Sequence, residues 1–181
     1  RRVEFMAAWN IPVGYSSIDQ LQNLSEVFDI ICVCSPTDKH YEHLLFSISR
    51  KPRLIFCEKP VSLSAIQTRE LLDKCLDAEI PLMVNYSRRW DPDIIELKQD
   101  LKVERRGELK SIVGIYNRGL LNNGSHLIDL LLYLLGPLEI VYVGETARSL
   151  SEIDPSVPFW LKDSNDIPIQ VSVGASNDYS V

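Results

Sequence analysis

The sequence predicts an α/β unit followed by an α+β unit: a doubly wound parallel sheet, then a mostly antiparallel open sheet with covering helices. Three observations lead there. Apolar runs at residues 28–34, 54–57 and 81–84 alternate with segments of helical period across short loops, the order that builds a parallel sheet with right-handed crossovers. Beyond Asn85 the alternation stops, and strand-like segments near 138–147, 157–162 and 167–174 follow a helix with no helix between them. That is how an antiparallel sheet covered on one face reads. The change of pattern at 88–92 divides the chain into residues 1–90 and 91–181.

Val3, Phe5, Met6 and Trp9 have helical spacing, and Asn10 with Pro12 ends that first helix. Ser17 is the expected N-cap of a second, with Ile18, Leu21 and Leu24 on one face and Gln22 and Asn23 on the other. Phe28-Asp29-Ile30-Ile31-Cys32-Val33-Cys34 is almost continuously apolar, which predicts a parallel strand buried on both faces. Ser35-Pro36-Thr37 breaks it, and Tyr41, Leu44, Leu45 and Ile48 set a helix over 38–49. The unit recurs as the strand Leu54-Ile55-Phe56-Cys57, the loop Glu58-Lys59-Pro60 and a helix over 64–76 that should turn Ile66, Leu71, Leu72 and Cys75 inward. Pro81-Leu82-Met83-Val84 is the third strand. A helix through Ile94, Ile95 and Leu97, a strand near 109–117 and a helix near 122–135, stopped by Gly136-Pro137, open the second unit. The chain starts in mid-helix without methionine, and its final Tyr179-Ser180-Val181 reads as a strand with no turn after it. Both features suggest a fragment at either end.

A composition of 45% apolar and 24% charged residues is that of a globular domain. The net charge of −6 holds no long run of one sign, which speaks against nucleic acid or a membrane surface as partner and for small ligands. The basic cluster of Lys102, Arg105 and Arg106 sits among acids and reads as a solvated helix end. The four cysteines, three of them in apolar stretches, suggest reduced thiols in a cytoplasmic protein. Cys32 and Cys34 share one side of a strand but have no second ligand pair, so no metal site is expected. Hydrolase and nucleotidase signatures are lacking: there is no Gly-x-Ser-x-Gly elbow, no Walker sequence and no His-Glu-x-x-His.

Ligands of an open parallel sheet bind beyond the carboxyl ends of its strands, and three loops lie there: Ser35-Pro36-Thr37, Glu58-Lys59-Pro60 and Asn85-Tyr86-Ser87-Arg88-Arg89. Lys59 follows a strand and precedes a proline, which holds it near the strand end. There it could donate to a substrate hydroxyl and stabilise developing alkoxide charge, although an arbitrary loop lysine is more often a plain surface residue. His126 lies early in a predicted helix, where the dipole favours neutral imidazole, a form suited to a general base. Asp129 shares its face, and the simpler reading makes the two a polar pair on a helix. His40 and His43, three apart on a helix, lack an acidic third ligand and read as surface and packing residues.

Together, Asp29-Ile30-Ile31-Cys32-Val33-Cys34-Ser35-Pro36-Thr37 with His40, then Cys57-Glu58-Lys59-Pro60, then Gly124-Ser125-His126-Leu127-Ile128-Asp129 resemble the Gfo/Idh/MocA family of glucose-fructose oxidoreductases and inositol dehydrogenases. The resemblance implies an NAD- or NADP-binding Rossmann-type domain, incomplete in residues 1–90, and a C-terminal substrate and oligomerisation domain over 91–181. It implies hydride exchange with the hydroxyl of a sugar, polyol or nucleotide-sugar, and a homo-oligomer built on the C-terminal sheet. Lys59, His126 and Asn122 would be catalytic. Ser35, Pro36, Thr37, His40, Glu58 and Lys59 would meet the cofactor, and Tyr86, Arg88, Asn122 and His126 the substrate. Two departures stand out. All eight glycines lie at position 14 or later and none forms Gly-x-Gly-x-x-Gly, so the pyrophosphate cradle is missing from these residues. Asn122 stands where many such dehydrogenases carry aspartate, and an amide accepts hydrogen bonds but no proton. That residue motivates an alternative, a non-catalytic nucleotide- or sugar-binding protein on the same fold.

Overall fold

Three parallel strands make the first sheet, in the order β1 (Ile30–Val33), β2 (Leu54–Cys57) and β3 (Leu82–Val84). Their registers pair Ile31 with Ile55 and Cys57 with Val84. The computed structural model describes residues 2–21, 25–146 and 153–174. Helix α1 (Arg2–Ala8) precedes the sheet, and α2 (His40–Ser49) and α3 (Ala65–Asp77) are the crossovers between its strands. Parallel strands require such crossovers, and the helices give the sheet an apolar cover. Val33, Leu44, Ile55, Cys57, Leu71 and Cys75 form its buried core. Ser64 caps α3, its Oγ accepting from the Gln67 backbone N–H at 3.5 Å.

Three expectations for this half need correction. β1 is an edge strand of the described sheet and is not covered on both faces: Ile30, Cys32 and Cys34 are exposed, and the buried thiols are Cys57 and Cys75. In α3 only Leu71 and Cys75 of the four expected inward residues are buried, while Ile66 is 82% exposed. The pair is four apart and shares a face, whereas Ile66 lies five residues before Leu71 and points well away from it at about 100° per residue. The helix expected after Ser17 is a 3-10 turn, Ile18–Leu21, and its continuation through Gln22, Asn23 and Leu24 lies outside the described residues.

After β3, a short 3-10 turn (Ser87–Trp90) delivers the chain to α4 (Pro92–Lys102). Asp91 caps that helix by accepting from the Asp93 N–H at 2.9 Å, and Pro92 occupies the first turn, where no donor is needed. Its far end is not simply solvated. Arg105 and Arg106 converge on the buried carboxylate of Asp100 at 2.8 and 2.7 Å, because a carboxylate taken out of water needs charged partners.

The second sheet has four strands, β4 (Ile112–Tyr116), β5 (Leu138–Val143), β6 (Phe159–Asp163) and β7 (Pro168–Val173), in the order β4-β7-β6-β5. The β5–β6 and β6–β7 pairs are antiparallel, as expected for consecutive strands, and β4–β7 is parallel. The sheet is therefore mixed, with α5 (Ser125–Leu135) packed on one face. Gly114 lets α5 approach: a Cβ there would lie 2.9 Å from Leu127 Cδ2. Tyr116, Leu127, Leu131, Phe159, Leu161, Ile169 and Val171 are the core of this half. The opposite face leaves Val113, Ile115, Tyr142 and Trp160 exposed. The expected strand character of Tyr179-Ser180-Val181 and the end of the 138–147 segment fall outside the described residues.

Tyr116 ties this core to the segment before β6. It is fully buried, and its hydroxyl donates to the Val157 carbonyl and accepts from the Val157 N–H, both at 2.7 Å. Tyr116→Phe strands both backbone groups, at a cost of about 1–3 kcal/mol. Urea unfolding should show a lowered midpoint with an unchanged slope.

Candidate active site

The loops that leave the first sheet are held by extensions of its own ladder. The Glu58 N–H donates to Val33 O at 2.9 Å and the Asn85 N–H to Cys57 O at 2.8 Å, so all three strand ends open at one level. Side chains reinforce this: Asn85 Nδ2 donates to Glu58 Oε1 at 2.6 Å. Lys59, whose peptide bond to Pro60 is cis, reaches out of this rim into the second half of the chain. Its Nζ donates to the backbone oxygen of Asn122 at 2.8 Å and to Asn122 Oδ1 at 3.1 Å. Partial burial lowers the Lys59 pKa from the ordinary lysine value, and the carboxylates of Glu58 and Asp154 oppose that shift.

Asn122 belongs to a π-helical turn, Leu120–Gly124, that runs straight into α5. Insertions of this kind re-aim side chains and recur at functional positions. The turn is seated on the chain before β6. Leu120 N–H donates to Pro155 O at 3.0 Å and Gly119 N–H to Ser156 Oγ at 3.2 Å. Asp154 accepts from the Leu121 N–H at 2.6 Å and the Asn122 N–H at 3.0 Å. One helical turn beyond Asn122 comes His126. Tyr86, from the third loop, meets its ring edge-on at 5.8 Å. Burial, then the Lys59 and Arg88 cations, push the His126 pKa below 6.5, with Asp129 and Glu58 pulling the other way. The imidazole is accordingly held toward its neutral form near neutral pH, which a general base requires.

The sequence paired Asp129 with His126, but the main partner of Asp129 is Arg89. That guanidinium donates through Nε at 2.8 Å and through its second nitrogen at 2.7 Å, a two-point grip on a carboxylate only 10% exposed. Its carbon also lies 5.3 Å from the Tyr133 ring centroid. The pair fastens the third loop to α5. Arg89→Ala leaves a nearly buried carboxylate unpaired and should cost about 1–2 kcal/mol, less than a fully buried pair because Arg89 is 41% exposed. Thermal unfolding checks it.

The residues expected to meet the cofactor divide. Pro36 is exposed and Thr37 half-buried at the end of β1, open to a ligand. Ser35 is partly committed, since His43 Nδ1 lies 2.9 Å from its Oγ. His40 offers a cofactor no polar atom: it is 1% exposed, with Nδ1 2.8 Å from Pro60 O and Nε2 2.8 Å from Ser35 O. It binds the first two loops together from behind. Cys57, beneath them, is no nucleophile, for burial above all pushes its thiol up to about 12. The remaining groups fit the nicotinamide end of a dinucleotide: an ammonium, an imidazole whose buried Nδ1 meets no hydrogen-bond partner among the described residues, and polar loops beyond parallel strand ends. They do not include a glycine-rich pyrophosphate cradle. Arg89 was placed in the third loop of the crevice, but its hold on Asp129, 40 residues on, was not foreseen, nor were the parts of Asp154 and His43, whose partners lie 32 and 8 residues away.

Residues 1–86 match the model of a family described as oxidoreductases with an NAD-binding Rossmann fold, GFO_IDH_MocA. The first 86 residues of this chain are thus similar to the nucleotide-binding part of the Gfo/Idh/MocA family. Among its relatives, the inositol 2-dehydrogenase of Rhizobium meliloti is 32% identical over 96 residues, covering 53% of this chain and 28% of that protein. The trans-1,2-dihydrobenzene-1,2-diol dehydrogenase of Sus scrofa is 22% identical over 189 residues, covering 99% and 56%. The fold likeness extends through the second sheet: levoglucosan dehydrogenase, solved with NADH and levoglucosan, superimposes with a TM-score of 0.84 at 17% identity, over 99% of this chain and 56% of that one. The chain thus spans about half the length, or less, of these proteins.

Proposed function

We propose that this chain carries the catalytic residues of an NAD- or NADP-dependent dehydrogenase acting on a secondary alcohol of a sugar or polyol. The observation that carries the reading is the seat of Lys59 Nζ on Asn122, which brings the rim of the parallel sheet to the helical turn bearing His126. A bound nicotinamide would supply the hydride acceptor. In this reading Lys59 donates to the reacting oxygen and stabilises its developing charge, and His126, kept neutral, takes the hydroxyl proton. Asn122 orients Lys59 and accepts from the substrate without moving a proton. Thr37 and Pro36 face the cofactor, Tyr86 and Arg88 line the substrate side, and the division between the two domains falls at 90/91. Names of similar proteins, inositol 2-dehydrogenase and levoglucosan dehydrogenase among them, support a polyol or sugar as substrate class.

The test is nicotinamide reduction by the full-length protein across a panel of inositols, aldoses and anhydrosugars. Turnover of at least one is expected. Tight nucleotide binding with no turnover of any would favour a regulatory binding protein, the reading that Asn122 keeps open. The uncovered face bearing Val113, Ile115, Tyr142 and Trp160 supports a homo-oligomer through the second sheet, to be checked by the mass in solution. Four free thiols support a reducing, cytoplasmic location. Among the described residues no helix is long and apolar enough to cross a membrane.

A further inference from the structure

We propose that Asp154 is a positioning residue for Lys59: it fixes the backbone of Asn122, on which the Lys59 ammonium is seated. The inference rests on the dehydrogenase reading only for its consequence in catalysis, since its geometry stands by itself. Both carboxylate oxygens of Asp154 are committed to successive N–H groups of the π-helical turn, Oδ1 to Leu121 at 2.6 Å and Oδ2 to Asn122 at 3.0 Å. Asn122 in turn presents its own carbonyl and Oδ1 to Lys59 Nζ. The chain of contacts therefore runs carboxylate, amide, carbonyl, ammonium, with a negative group at one end and a positive group at the other. Such a row of aligned dipoles is strengthened by charges of that sense at its ends.

The fold makes room for this carboxylate. Gly119 has φ +92 and stands so close that a Cβ on it would lie 2.1 Å from Asp154 Oδ2, so any other residue there would expel Asp154 from its seat. The charges acting on Lys59 are those of Glu58 and Asp154, which both favour the ammonium against partial burial. Glu58 is held in the second loop by Asn85, whereas Asp154 accepts from the Leu121 and Asn122 N–H groups of the turn that Lys59 contacts. His126, close enough to feel Lys59, also faces Arg88, Asp129 and Glu58.

The experiment uses Asp154→Asn and Asp154→Ala in the full-length protein. Asn retains one acceptor oxygen and the volume but removes the charge. The readout is the pH midpoint for acylation of Lys59 by an amine-specific reagent, followed on its own peptide by mass spectrometry. Both variants should lower that midpoint, and Asp154→Ala more than Asp154→Asn. Where turnover is measurable, the alkaline limb of kcat should move down with it, and kcat at the optimum should fall about tenfold or more in Asp154→Ala, as misplaced catalytic groups do. Ser156→Ala, which removes a neutral contact to the same turn, should lower stability and leave the midpoint in place. An unchanged or raised Lys59 midpoint in Asp154→Asn overturns the assignment. A lowered midpoint in a protein that turns over none of the panel upholds it while removing the dehydrogenase reading.

Discussion

Replacing Lys59 by methionine should lower kcat by about two to three orders of magnitude, the usual loss when one preorganised donor to a developing oxyanion is removed. The protein should fold nearly as before. Methionine matches the apolar stem of lysine, and the lost contacts to Asn122 are with a solvent-exposed residue, where a pair contributes at most about 1 kcal/mol. An effect on turnover far larger than the effect on melting temperature separates a catalytic ammonium from a latch between two loops. KM for the alcohol should rise less than kcat falls, because the contact gains strength mainly as negative charge grows on the oxygen.

His126→Asn should lower kcat by about two to four orders of magnitude, the range for loss of a positioned general base. Its pH dependence carries a sign that can be fixed in advance. The folded-state pKa of His126 lies below 6.5, chiefly through burial and then through Lys59 and Arg88. The basic form is therefore populated through neutral pH, and kcat/KM should fall only as the solution becomes acidic enough to protonate it. Arg88→Ala removes one of the two named cations, so the pKa rises toward 6.5 and the acid limb moves to higher pH. An acid limb that stays in place, or moves down, would mean that another group is titrating.

The arrangement of strands was legible from periodicity, and for a physical reason. Apolar runs such as Ile30-Ile31-Cys32-Val33 and Leu54-Ile55-Phe56-Cys57 have no stable alternative to pairing in a sheet, and both became strands. How deeply they are buried was not legible, because exposure depends on what lies beside a strand, and among the described residues β1 stands at the edge of its sheet. The π-helical turn was read as the start of an ordinary helix, since one extra residue in a turn leaves the apolar spacing of Leu127 and Leu131 unchanged. Lys59, Asn122 and His126 could be singled out because each sits in a short motif. Arg89 was placed only as a member of the third loop, and Asp154 not at all. Their importance comes from groups brought to them by folding, the Asp129 carboxylate and the N–H groups of Leu121 and Asn122, and no local pattern marks them. His40 was noticed, but its place behind the loops depends on the carbonyls of Ser35 and Pro60, which sequence spacing does not orient.

The decisive measurement is a crystal structure of the full-length protein with reduced nicotinamide and whichever alcohol it oxidises. One carbinol oxygen within hydrogen-bonding distance of both Lys59 Nζ and a His126 ring nitrogen is the predicted result. An alcohol bound elsewhere, or one touched by Lys59 while the imidazole faces away, would contradict a shared site between the sheet rim and α5.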